Sequence, residues 1–129
     1  MCRLAQGLLA VLLLVLAGCQ RLNYEKEATL DLATTYLEYT FPRGETKVNV
    51  KATSDQPVSI WVVPEEDQES SGKEIKSGRK PAKALAGEEN QKEIDFEAAI
   101  PDKTSFVVFV AQGKGMRNTA TVKLSVKGK

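Results

Sequence analysis

From Tyr36 onward this chain alternates apolar and polar residues with a period of two, the spacing that sends successive side chains to opposite faces of a strand. Leu37, Tyr39 and Phe41 point one way, Tyr36, Glu38 and Thr40 the other, and Pro42-Arg43-Gly44 supplies a turn. Val48, Val50 and Ala52 alternate with Lys47, Asn49 and Lys51 until Ser54-Asp55-Gln56, which reads as a second turn. These two segments are expected to pair as a hairpin or a meander. Pro57 opens a third run at a position where a missing amide hydrogen is tolerated. Val58, Ile60 and Val62 share one of its faces, Ser59, Trp61 and Val63 the other, and Pro64 closes it.

Residues 65–91 break the rhythm. Their front is acidic (Glu65, Glu66, Asp67, Glu69) and their middle basic (Lys73, Lys76, Arg79, Lys80, Lys83), with little apolar content before residues 82–86. The pattern predicts a long polar loop, either a solvated connection or a binding loop. Ala84-Leu85-Ala86 adds a short edge strand or a helical turn. Alternation returns with Ile94, Phe96 and Ala98 against Glu93, Asp95 and Glu97. After Pro101-Asp102-Lys103, the run from Phe106 to Ala111 is apolar on both faces, as in a central strand covered on two sides. Gly113-Lys114-Gly115 makes a turn, and Ala120, Val122, Leu124 and Val126 alternate with polar partners in the last strand. No helical period competes over these windows. About seven strands spaced by Gly, Pro and Asp turns predict an all-β fold, a small antiparallel β-sandwich over residues 29–129.

The N-terminus follows a different pattern. Leu8 to Leu16 is a nearly continuous apolar run behind Met1-Cys2-Arg3. The segment from Leu4 to Gly18 contains Gln6 and falls short of the ~20 residues needed to cross a hydrocarbon core, whereas a basic start followed by an apolar stretch fits a secretory signal. Leu16-Ala17-Gly18-Cys19 resembles the lipobox cut by bacterial lipoprotein signal peptidase. The resemblance implies that Leu16, Ala17 and Gly18 are read by the peptidase, that residues 1–18 are removed, and that the Cys19 thiol carries lipid. Two or three acyl chains on one cysteine hold a protein to its membrane stably. Gln20, not Asp, follows the cysteine, which implies the outer membrane facing the periplasm in an envelope that uses that retention rule. Residues 19–28 then form a lipidated N-terminus and short tether. Thr29-Leu30-Asp31-Leu32 either finishes the tether or starts a first edge strand.

Processing changes what the composition means. Cys2 leaves with the signal and Cys19 carries lipid, so no disulfide is available and the fold relies on a hydrophobic core. Loss of Arg3 balances the remaining basic residues against 17 Asp and Glu, which argues against nucleic acid as a partner. The chain has no His and keeps no free thiol, which removes Ser-His triads, Cys-His pairs and the usual zinc sets. Glu65, Glu66, Asp67 and Glu69 lack the spacing and turn glycine of a calcium loop. No catalytic residue, metal or cofactor is expected, and the chain is not read as an enzyme.

Phe41-Pro42-Arg43-Gly44-Glu45 leading into Val48-Asn49-Val50, then Phe106 to Val110 and Thr121 to Val126, resemble the pre-peptidase C-terminal domains of secreted bacterial proteins. These are jelly-roll-like sandwiches related in shape to CUB domains. The resemblance implies a jelly-roll-like sandwich acting as an accessory module. Pro57 stands where such domains often carry an acidic residue before their third strand.

The expected function is that of a lipid-anchored, extracytoplasmic binding or structural module of the bacterial envelope, whose partners are membrane lipid through Cys19 and an envelope protein or polymer. The alternative is an accessory or inhibitory subunit that presents the turn from Gly113 to Asn118 to the cleft of an envelope enzyme. Trp61, Lys114, Met116 and Arg117 make up the candidate binding surface. Trp61 is either a platform for carbohydrate or peptide or a residue covered by the long loop.

Overall fold

Strands in globular proteins usually run ~5–6 residues, yet one strand here runs from Lys47 to Pro64, 18 residues. A strand of that length stays in a small domain only by bending. In the computed structural model, which describes residues 21–129, the strands are β1 (Asn23–Leu30), β2 (Tyr36–Phe41), β3 (Lys47–Pro64), β4 (Ala86–Ala99), β5 (Phe106–Gln112) and β6 (Ala120–Gly128), with one helix, α1 (Gln68–Lys76), between β3 and β4. They form a six-stranded antiparallel sheet in the order β1-β6-β3-β5-β2, with β4 also paired to β3.

The first half of β3 pairs with β6, from Val48 opposite Gly128 to Ser54 opposite Val122. Its second half pairs with β5, from Val58 opposite Gln112 to Pro64 opposite Phe106. β4 follows β3 through both halves, with register shifts between Thr53 and Val58 and between Val58 and Ile60. Irregularities of this kind increase local bend and twist. The sheet therefore curls at residues 54–57 into two facing layers.

One core fills the space between those layers, and its residues are those the alternation pointed inward. Val48, Val50 and Ala52, Val58, Ile60 and Val62, Ile94 and Ala98, and Ala120, Val122, Leu124 and Val126 are all buried in it. The all-β antiparallel class read from the sequence holds. At the open edge Phe41 stacks on Phe106, centroids 5.1 Å apart at 18°, and Tyr24 of β1 meets Phe41 edge-on at 5.1 Å. Such aromatic pairs add to the area they bury, and here they close β1 against β2.

Four expectations are corrected. β2 pairs with β5 and not with β3, because the bend of β3 carries its second half to β5 and leaves the flank of its first half to β6. Ser54-Asp55-Gln56 is no turn; it is the bend within β3, where Gln56 N–H donates to Ser54 Oγ at 3.2 Å. The tether does not extend to residue 28, because the edge strand that was one reading of Thr29-Leu30 already begins at Asn23.

The fourth correction concerns residues 65–91, which form a 3-10 turn (Glu65–Asp67), α1 and the start of β4 rather than a long loop. Acidic residues at the start of α1 and Lys73 and Lys76 in its last turn oppose the helix dipole. Its end is a Schellman motif: Arg79 N–H donates to Glu74 O and Gly78 N–H to Ile75 O, both at 2.9 Å, with Gly78 at φ 78°. The helix packs on the outer face of β2, β3 and β5, forming a second cluster of Trp61, Val63, Ile75, Val107, Phe109 and Ala111. Phe106 to Ala111 is thus buried on both faces, as its sequence predicted.

The signal segment and the motif from Leu16 to Cys19 lie outside the described residues. Among the described residues, no helix is long and apolar enough to cross a membrane.

Candidate functional site

β1 rises from Asn23 to Leu30 and β2 descends from Tyr36, so the five residues between them cap one end of the sandwich. The bend of β3, the β5–β6 turn and Asn90 of β4 lie at that same end: Gly113 N–H donates to Pro57 O at 3.1 Å and Lys114 N–H to Asn90 Oδ1 at 2.6 Å. This end is called the tip. The opposite end gathers Leu22, Glu45, Lys47, Glu97 and the chain end at Lys129.

Side-chain amides and carboxylates fix the tip by bonding to backbone. Asp31 Oδ1 accepts from Ala33 N–H at 3.0 Å and Thr34 N–H at 2.9 Å, a short-range pattern that Asp favours in turns. Gln112 Nε2 donates to the carbonyls of Thr34 at 2.8 Å, Leu32 at 3.0 Å and Asp31 at 3.2 Å. On the other side Asp55 Oδ1 accepts from Thr121 N–H at 2.9 Å and Gln56 Oε1 from Arg117 N–H at 3.2 Å. The residues misread as a turn are thus the seat of the β5–β6 loop. Asn90, at φ 58°, receives the Lys114 bond and donates its own N–H to Ser59 Oγ at 3.1 Å.

Two glycines permit this closeness. A Cβ on Gly113 would lie 2.6 Å from Pro57 O, nearer than real side chains approach backbone. Gly87, opposite Trp61 in the β3–β4 register, would drive a Cβ into the Trp61 ring.

Of the predicted surface residues, Lys114 and Arg117 are exposed on the β5–β6 turn. Met116 is half-buried and packs against the main core, because the turn folds back with Met116 N–H donating to Gly113 O at 3.2 Å. Trp61 is corrected as an exposed platform: only 5 % of it is accessible, and it lies in the cluster under α1 with Lys80 Nζ 5.7 Å from its ring. It does sit on the face opposite Val58, Ile60 and Val62, as its position in the strand required.

Trp61 and Lys114 nevertheless border one cleft of about 320 Å³ between the end of α1 and the tip, together with Lys76, Arg79 and Lys80. Glu89 is the acidic residue on its wall. The sequence grouped these three cations in the basic middle of residues 65–91 but, reading that stretch as loop, did not place them beside Trp61. It also passed over Leu32, which among the described residues is the exposed large hydrophobic, at 53 %. Beside the helix, burial and then the Glu38 carboxylate push the Tyr36 hydroxyl up from its ordinary pKa.

At the tip Lys114 and Arg117 stand exposed on a turn that Asn90, Gln56 and Asp55 hold through bonds to backbone. No family model matches the chain, and no curated protein matches its sequence. Among solved structures it is similar to Aeromonas hydrophila PliG, described as a periplasmic lysozyme inhibitor of g-type lysozyme, with a TM-score of 0.59 over 89 % of this chain and 93 % of that one, at 11 % identity. The likeness shows a shared fold.

Proposed function

We propose that this chain is a non-catalytic binding module of the bacterial cell envelope, held to its membrane through Cys19, which captures and inhibits an envelope enzyme. The observation that carries this reading is the likeness in fold to a periplasmic inhibitor of g-type lysozyme across most of both chains. Charge supports the same class of target. Glycoside hydrolases place a pair of carboxylates around the scissile bond, and the exposed Lys114 and Arg117 turn is complementary to such a cleft. Complementary charge steers encounter and fixes orientation more than it adds raw affinity.

The test is inhibition of peptidoglycan cleavage by a g-type lysozyme on adding the full lipoprotein in detergent micelles. Saturable, stoichiometric loss of cleavage is expected. No inhibition, together with retention of a soluble envelope polymer by the immobilised lipoprotein, would replace the inhibitor with a polymer-binding module. The anchor is tested separately by mass spectrometry, which should find a chain beginning at Cys19 with added acyl mass. An unmodified chain beginning at Met1 would overturn it.

A further inference from the structure

The turn from Asp31 to Thr35 lies at the tip but outside the binding surface read from the sequence, and it holds Leu32 in water. A single exposed apolar side chain carries no message by itself. Three observations about this one do. First, the turn is preformed: Asp31 accepts two backbone N–H groups, and Gln112 donates to three of its carbonyls. A loop ordered before binding loses less entropy on association.

Second, Asp31 and Asp55 at the tip are engaged by backbone while Lys114 and Arg117 are free, with Glu89 exposed beside them. Asp31 and Asp55 already accept backbone N–H groups, while Lys114 and Arg117 are exposed and form no ion pair with a described residue. Gln112 holds the 31–35 turn and is followed directly by Gly113 and Lys114, so Leu32 and these cations lie at the same end of the sandwich.

Third, the turn stands far from the anchor. β1 begins four residues after Cys19 and runs eight residues toward the turn, about 26 Å at ~3.3 Å per residue. A lipid on Cys19 therefore leaves Leu32 at the end that faces away from the membrane.

We propose that Leu32 is the apolar anchor of the docking surface, flanked by Lys114 and Arg117, and that its partner is a soluble envelope protein whose cleft sets an apolar subsite beside carboxylates. The inference rests on the inhibitor reading and adds the contact chemistry to it. Arg43, exposed in the turn at the opposite end, serves as the control.

In the lysozyme titration with full-length lipoprotein, Leu32→Asp and the double variant Lys114→Glu/Arg117→Glu should each weaken inhibition about tenfold or more. Arg43→Glu should match the wild type. Thermal melts should be the same for all four proteins, since every altered side chain is exposed. Equal inhibition by wild type and Leu32→Asp would overturn the anchor while the inhibitor reading stands. If the wild type inhibits nothing, that reading fails, and a photocrosslinking amino acid at Ala33 decides the surface in intact cells. An adduct with one protein, identified by mass, rebound in purified form and lost in the Leu32→Asp background, supports the proposal. No adduct, or an equal adduct from position 43, overturns it.

Discussion

At the end opposite the tip, the anchor end under the proposed lipidation of Cys19, Glu97 takes Lys129 at 2.8 Å and Lys47 at 3.7 Å, all three side chains about half exposed. At the tip five side chains, Gln112, Asn90, Asp31, Asp55 and Gln56, bond to backbone groups, whereas at the other end Glu45 does so, accepting from Leu22 N–H at 2.9 Å. Exposed ion pairs contribute little and weaken with salt. Bonds to backbone fix loop shape at any ionic strength. Under the proposed function the ends have different work: the anchor end only has to stay closed, whereas the tip has to keep one shape while leaving Leu32, Lys114 and Arg117 uncommitted.

That contrast is open to attack by substitution, beginning with the support behind the tip. Trp61→Ala should cost about 3–5 kcal/mol, because it empties the space beneath α1 and Lys80. A denaturant melt with an unchanged midpoint would return Trp61 to the surface. Gly113→Ala should cost roughly 1–3 kcal/mol, since its Cβ meets the Pro57 carbonyl and backbone must shift. Inhibition should fall with it, and a variant as stable and as active as wild type would show that the tip tolerates rearrangement.

Gln112→Ala should cost about 1 kcal/mol, water replacing part of what its amide donated. Amide exchange should then quicken at residues 31–35 while the anchor end keeps its protection; unchanged exchange would mean that the turn is not held by Gln112. Glu97→Gln should have the smallest effect. Its hydrogen bond with Lys129, then the charges of Lys129 and Lys47, hold the Glu97 carboxyl below its ordinary range. A lowered folded-state pKa contributes stability above the unfolded value and loses it as pH falls through the folded one. The gap between wild type and Glu97→Gln should therefore be present at neutral pH, close in acid and vanish in high salt. A gap that persists in molar salt would contradict the assignment of that end to screened ion pairs.

How much of this was legible in sequence follows from what each element buries. Strands with one wet face announce themselves by alternation, so Val48 to Ala52 and Ala120 to Val126 were read with the right face inward. α1 was invisible because its buried face is Ser71, Gly72 and Ile75, which no apolar period marks. Small residues are required there: a Cβ on Gly72 would come within 2.6 Å of the Tyr36 hydroxyl oxygen. Gly78, two residues past Lys76, was the available stop signal for a helix. The pairing of β2 with β5 depends on the bend in β3, and Ser54-Asp55-Gln56 has the composition of a turn whether the chain reverses there or only bends. Of the surface named in advance, Lys114 and Arg117 stand exposed, while Trp61 and Met116 pack inward. Leu32 escaped notice because a lone leucine next to a strand reads as part of it; its exposure is set by Gln112, 80 residues away.

Amide exchange across the whole chain, with and without a g-type lysozyme, tests the division of labour most directly. Added protection should concentrate at residues 31–35 and 113–118 and leave residues 43–47 and 97–103 unchanged. Protection at the anchor end, or none anywhere at saturating enzyme, would contradict it.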